Sequence, residues 1–403
     1  MFGADSASDW NGGRVVNFSI VADRPLENYK KCDISLILIS VLLWGIGMFT
    51  LYVCSGNYGM RAFGDDLYFV KRQMISSCLG FMLFIVFATF NLDTIKRFLP
   101  LMVVISLLLS IMTFIPGIGI ERNGARRWIR LGFTTFQPSE MVKFVIVLYL
   151  ANYFEKQAKI IDSFDKTVFP AVLVSFVMIG SIAMQSDLST SVFVAALAIL
   201  LFIASGSKIF WLVPVMSIIV PLSALFVFLE PYRLNRIIGF LDQDNYLQTL
   251  NYQTYAARRA ISAGGFWGQG LGSGLSRINS IPEIQSDYIF AGWAESMGYF
   301  GVLIYFALLI LFAWRGLHCA LTAKTRFASI AAFGFIVSIV AQSVMNDAVV
   351  GGVIPTTGIP LPFFSSGGSS ILFTLATCGF LVNASRNEIG PNDDIEMEEL
   401  IYE

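Results

Sequence analysis

Four polar clusters interrupt an otherwise apolar sequence, and each holds residue types that can do chemistry. The first, NGARRWIRLGFTTFQPSEMVK at 123–143, gathers Arg126, Arg127, Arg130, Glu140 and Lys143 around a turn and a helix start. A guanidinium fork binds two phosphate oxygens at once, and Pro138 sits where a first helical turn tolerates it, leaving peptide N–H groups to meet an anion. The plainer role for these arginines is anchoring at a membrane surface. The second cluster, SIPEIQSDYIFAGWAES at 280–296, carries Glu283, Asp287 and Glu295. Asp287 stands at an expected helix start, where an acid steadies the dipole, and a carboxylate at a polar rim is also what a general base requires. A helix continuing through this segment would put Asp287 and Glu295 on one face, about 12 Å apart. In the third, QSDLSTS at 185–191, the plain role of Asp187 is to cap the helix starting at Leu188. The fourth, residues 346–370, is charge-free after Asp347 and broken by Pro355, Pro360, Pro362 and two glycine pairs, so it cannot be one straight helix. Irregular backbone at membrane depth survives only where protein or water satisfies it, so this segment is expected to line a polar cavity.

The elements that must position these clusters follow from composition. Of 403 residues, 56% are hydrophobic and 14% charged, against about 25% charged in an ordinary soluble domain. A net charge of -1 removes any electrostatic case for nucleic-acid binding. Charge-free runs at 34–60, 73–92, 98–120, 167–186, 188–207, 209–229, 296–314, 327–346 and 348–385 each reach the roughly 18 residues that a spanning helix needs. A tenth, about 136–154, is apolar except for Glu140 and Lys143, which stand three apart and can pair. The sequence therefore reads as an all-α polytopic membrane protein of about ten transmembrane helices.

Residues 1–33 form a charged N-terminal segment without an apolar core, 34–385 a single ten-helix membrane domain, and 386–403 an acidic tail. Lys and Arg favour the termini and even-numbered loops, which puts both termini in the cytoplasm. A long loop at about 230–287 then faces outward with Arg233 and Arg236, and its aromatics, among them Tyr252, Tyr255, Phe266 and Trp267, argue for packing on the bundle or the membrane interface. The lone His318 excludes a histidine-based triad or metal site, and five cysteines form no CxxC pair.

Taken in order, NGARRWI with QPSE and Lys143, PYRLNRI, GGFWGQGLGSG, PEIQSDYIFA and PTTGIPLPFFSSGGSS resemble the SEDS family of polytopic membrane proteins, over residues 120–385. Departures are confined to side chains: SDLST for PDLGT at Ser186 and Ser189, Ser366 for a tyrosine, QSDYIFA for HTDFIFA, and Glu295–Ser296 for paired glutamates. The resemblance implies a peptidoglycan glycosyltransferase that polymerises lipid II in the cytoplasmic membrane with a class B penicillin-binding protein and other divisome membrane proteins. GARRWI and PYRLNRI look more like the division members than the elongation members. Asp287 matches the family's essential aspartate. On this reading it is the base, Arg126, Arg127, Arg130 and Lys143 with Arg233 and Arg236 behind them bind the pyrophosphate, and Glu140, Glu283 and Glu295 complete the substrate site. No cofactor is evident, and a divalent cation on the pyrophosphate is allowed but not demanded. A flippase for lipid-linked precursors is the competing class, since intramembrane carboxylates and a broken helix suit transport as well.

Overall fold

The computed structural model describes residues 32–122, 125–132, 134–211, 231–242, 251–270 and 281–386, with positions 213 and 217 besides. The N-terminal segment to residue 31, most of the apolar run 209–229, the centre of the long loop and the acidic tail from 387 lie outside the described residues.

Three apolar helices open the fold, α1 (Ile34–Phe63), α2 (Tyr68–Thr89) and α3 (Leu92–Met112). Asp33 caps α1 by accepting the Ser35 N–H at 2.9 Å. A small antiparallel sheet follows, β1 (Gly119–Arg122), β2 (Ala125–Leu131) and β3 (Thr134–Phe136), in the order β1-β2-β3. It pairs Ile120 with Trp128 and Ile129 with Phe136. Next come α4 (Pro138–Lys156), which starts on its proline, α5 (Phe169–Met184), preceded by a π-helical turn at Phe164–Val168, and α6 (Leu188–Ala204). The long loop is not all extended chain: its described parts include two helices, α7 (Pro231–Leu241) and α8 (Tyr252–Gly264). The chain closes with α9 (Ile289–Thr322), α10 (Arg326–Val350) and α11 (Gly368–Ser385).

Seven helices among the described residues, α1, α2, α3, α5 with its π turn, α9, α10 and α11, are long and apolar enough to cross a membrane. The chain is a multi-pass membrane protein. Two more expected spans are present as helices that fall short of that length or apolarity: α6 has 17 residues, and α4 contains Glu140 and Lys143. The tenth, 209–229, lies largely outside the described residues.

The helices alternate in direction, so their ends sort into two sets. At one end the Asp33 N–H donates to Ser385 Oγ at 3.1 Å, and the Asp33 carboxylate pairs with Arg315 of α9. The start and finish of the helical domain therefore meet. Lys96 reaches Glu155 at 2.6 Å at the same end. The core lies along α4, α10 and α11, whose Val145, Phe154, Phe327 and Phe380 are fully buried. α11 packs closely on α2 because Gly379 faces the α2 backbone: a methyl group there would stand 2.3 Å from the Phe84 carbonyl oxygen. The opposite end carries all four polar clusters.

Candidate active site around Asp287

Asp287 lies in a turn just ahead of α9, outside the membrane-spanning segments. The continuous helix expected from Glu283 to Glu295 is not formed. Residues 282–287 make tight turns, Glu283 has a left-handed φ of 57°, and the helix begins at Ile289 with Tyr288 as its cap and no side-chain capping bond. Asp287 is thus free of the capping role, and it does not share a helical face with Glu295.

The turn is held by its backbone rather than by the Asp287 side chain. Asn346 of α10 donates through Nδ2 to the carbonyls of Asp287 at 3.0 Å and Ile359 at 2.9 Å. Ser365 Oγ donates to the Ser286 carbonyl and accepts the Leu361 N–H at 2.7 Å. The Ser366 N–H donates to the Gln285 carbonyl at 2.7 Å, and Gln73 of α2 secures the Ser365 carbonyl at 3.0 Å. The proline-broken stretch 351–367 is irregular, as the sequence requires; its Ser365 hydroxyl and Ser366 N–H hold the turn, and its Ile359 and Pro360 carbonyls are satisfied by the amides of Asn346 and Gln342. A methyl group at Gly358 would stand 3.6 Å from Asp287 Oδ2, so this stretch also walls the carboxylate.

The charges around Asp287 come from three of the clusters and from the long loop. Burial pushes its carboxyl up to about 6; Glu283 adds to the rise, Arg236 of α7 and Arg127 of β2 oppose it, and Asp187 adds slightly. Asp187 plays its capping role, accepting the Thr190 N–H at 3.4 Å. It also holds Arg127 Nη1 at 3.6 Å and Gln137 Nε2 at 3.3 Å. The Arg127 guanidinium donates to the Ser186 carbonyl as well, while its Nε is buried with no hydrogen-bond partner in the protein.

A second polar layer lies deeper. Lys143 Nζ donates to Glu140 at 2.8 Å and to Gln342 Oε1 at 2.6 Å, and Gln342 Nε2 donates to the Pro360 carbonyl at 2.7 Å. The pairing expected from the i, i+3 spacing is present, with Glu140 only 3% exposed.

Other expected site residues fall elsewhere. Strand alternation separates the three arginines: Arg127 turns toward Asp187, whereas Arg126 is exposed and pairs with Glu121 at 3.0 Å, and Arg130 is exposed. Glu295 is fully buried near Cys54 of α1 and is not among the charges acting on Asp287. The side chain of Arg233 lies outside the described residues. Of the loop aromatics expected to pack on the bundle or the membrane interface, Tyr252, Tyr255, Phe266 and Trp267 are exposed, with the Phe266 and Trp267 rings beside Tyr299 and Phe300 of α9, while α8 packs through Ala257, Ala260 and Gly264.

Gly264 leads into the glycine-rich motif, whose purpose the sequence left open. α9 breaks at Gly298, where φ is 64° and ψ is -165°, and residues 265–270 fill the break. The Gln269 N–H donates to the Glu295 carbonyl at 3.0 Å, and the N–H groups of Tyr299 and Phe300 donate to Gly265 and Phe266 at 2.9 and 3.1 Å. A methyl group at Gly298 would stand 2.3 Å from the Gly268 nitrogen, so neither backbone tolerates a side chain. Gln342 escapes the sequence reading, and Asn346 and Ser365 are marked only as part of the fourth cluster, because uncharged residues in apolar runs carry no signal of their role until their partners are known.

A family model described as a cell cycle protein, covering FtsW, RodA and SpoVE, matches residues 34–389. A probable peptidoglycan glycosyltransferase FtsW from Geobacter sp. (strain M18) is 32% identical, covering 90% of this chain and 98% of its own. Stage V sporulation protein E from Bacillus subtilis (strain 168) is 34% identical, covering 88% and 97%. Among solved structures, a chain from a peptidoglycan synthase complex that coordinates polymerization and crosslinking superposes with a TM-score of 0.69 at 27% identity, covering 88% of this chain and 98% of that one. A mutant of the rod shape determining protein RodA from Thermus thermophilus gives 0.64 at 25% identity, covering 89% and 99%.

Proposed function

The chain belongs to the FtsW, RodA and SpoVE family of cell cycle proteins, and on that premise we propose that it is a peptidoglycan glycosyltransferase that polymerises lipid II for septal wall synthesis. The observation that carries this reading is Asp287. Its carboxylate stands outside the spans, is raised to about 6 by burial, and is flanked by Arg127 and Arg236. A base of that strength is mostly ionised at neutral pH yet holds a proton better than an exposed aspartate.

Asp287 takes the proton of the acceptor sugar's 4-hydroxyl. The oxygen attacks the anomeric carbon of the donor on the face opposite its pyrophosphate, the new glycosidic bond forms as the carbon–phosphate-oxygen bond breaks, and the configuration inverts. Negative charge grows on the undecaprenyl pyrophosphate that leaves, where the cationic fork of Arg127 stabilises it. Lys143, tied to Glu140 and Gln342, supports the layer beneath. A divalent cation carried on the pyrophosphate is compatible with this chemistry.

The likeness to a peptidoglycan synthase complex supports a class B penicillin-binding protein as partner, and names of relatives support the division role over an elongation role. Other divisome membrane proteins and the surrounding lipid complete the setting. The chain resides in the cytoplasmic membrane with both termini inside; the Asp33–Ser385 contact supports the part of this reading that puts both ends of the helical domain on one side. The test is to incubate purified full-length protein, alone and with a class B penicillin-binding protein, with lipid II in detergent. Glycan strands are expected; a flippase makes none, and absence of strands in both arms contradicts the proposal.

A further inference from the structure

Asp347 is a carboxylate near the end of α10, inside a span, and the chemistry proposed above does not use it. An ionisable group at membrane depth is costly, so it is kept where a partner or a function compensates for it. Its Oδ2 accepts the hydroxyl of Tyr305 at 3.3 Å, and its Oδ1 is buried with no hydrogen-bond partner among the described residues. Tyr305 stands on α9 and is fully buried. Packing alone would be served by phenylalanine there; the hydroxyl has the carboxylate as its reason.

The pair lies where two supports of the Asp287 turn meet. Asp347 follows Asn346, whose amide donates to the Asp287 and Ile359 carbonyls. The Tyr305 ring packs edge-on against Phe364, with centroids 5.3 Å apart, and Phe364 precedes Ser365, whose hydroxyl donates to the Ser286 carbonyl. The same ring stands 5.5 Å from Phe290, in the first turn of α9. Tyr305 lies past the break at Gly298, in the spanning half of α9, whereas Phe290 lies in the half that follows directly on Asp287. Trp293 bridges the same break, donating through Nε1 to the Gly301 carbonyl at 3.0 Å. Ring contacts alone let helices slide by fractions of an ångström; a directional hydrogen bond between α9 and α10 selects one setting. That precision matters, because misplacing a reacting group by about 1 Å costs on the order of 100-fold in rate.

We propose that Tyr305 and Asp347 are a positioning pair, whose hydrogen bond sets α9 against α10 and so fixes where the Asp287 carboxylate stands. The proposal rests on the polymerase reading and adds to it two residues that touch neither substrate nor the reacting atoms.

The test compares full-length Tyr305→Phe, Asp347→Leu and Asp347→Asn proteins with wild type in detergent. Tyr305→Phe keeps the ring and loses the donor. Its kcat for lipid II polymerisation is expected to fall by about tenfold or more, with KM within about twofold and the melting temperature close to wild type. Asp347→Leu should behave alike, whereas Asp347→Asn keeps an acceptor for the hydroxyl and should recover most of the rate. Amide hydrogen exchange reads the turn without turnover. The N–H groups of Ile284, Ser286 and Asp287, which bond within the turn, should exchange faster in Tyr305→Phe while the rest of α9 and α10 keeps its protection. Wild-type kcat in Tyr305→Phe, or Asp347→Asn as slow as Asp347→Leu, overturns the proposal. So does a loss of rate that comes with general loss of protection and a lowered melting temperature, since the bond would then only hold the fold. If the polymerase reading alone is wrong, wild-type protein makes no strands and the faster exchange at the turn is still seen; wild-type exchange there overturns the positioning role in either case.

Discussion

Replacing Lys143 by methionine removes the positive charge from a buried polar layer. Glu140 is 3% exposed and pairs with Lys143 at 2.8 Å, so the substitution strands a carboxylate. Breaking one side of such a pair costs about 3–5 kcal/mol, and the orphaned Gln342 Oε1, which accepts from Lys143 at 2.6 Å, adds about 1–3 kcal/mol. The chain can escape part of this by protonating the carboxylate, which for an ordinary glutamate at pH 7 costs about 3.7 kcal/mol. The escape caps the carboxylate share and makes it fall by about 1.4 kcal/mol for each unit of pH lowered. Thermal unfolding of detergent-purified protein at several pH values reads both effects. Lys143→Met should be destabilised at neutral pH and recover in acid, and Glu140→Gln combined with Lys143→Met should lie closer to wild type than Lys143→Met alone. A Lys143→Met protein as stable as wild type, or a double variant no better than the single, would refute the argument that the pair is a buried unit.

Three further outcomes are expected. Because Asp287 sits at about 6 and works as a base, kcat/KM should fall as pH drops through that value; Glu283→Gln should move the midpoint down and Arg236→Gln should move it up, and a profile indifferent to both would separate Asp287 from these charges. Arg127→Lys keeps charge but loses the fork held by Asp187 and Ser186, so activity should drop at least tenfold, whereas Arg126→Lys, exposed beside Glu121, should stay within about twofold. Gly298→Ala should lower the melting temperature and folded yield because its methyl meets the Gly268 nitrogen at 2.3 Å; wild-type stability would show that the loop does not fill the helix break.

Much of this arrangement is legible in the sequence, for physical reasons. Charge in an apolar chain is costly, so Asp287, Arg127, Asp187, Glu140 and Lys143 stand out, and the three-residue spacing of the last two foretells their ion pair. The prolines at 355, 360 and 362 foretell irregular backbone. What stays hidden depends on direction. Arg126, Arg127 and Arg130 read alike until β2 alternates them, and strands of three to seven residues leave too little pattern to be found between helices. The reversal at Glu283 removes the helix that would have aligned Asp287 with Glu295. The glycine-rich motif gives no sign of its purpose, yet its described residues 265–270 form a backbone plug whose partners are residues 295–300, and no local pattern announces a contact of that kind.

In the proposed reaction Asp287 accepts the proton of the attacking hydroxyl. This step is tested most directly by single-turnover polymerisation of labelled lipid II by Asp287→Asn protein, with folding checked by melting temperature and lipid II binding measured on the same sample. The side chain takes no part in holding its own turn, which Asn346, Ser365 and Ser366 secure through backbone, so the variant should fold and bind. Its rate is expected to fall by about 100-fold or more. A folded, lipid-binding Asp287→Asn protein that polymerises at a rate near wild type would contradict the account.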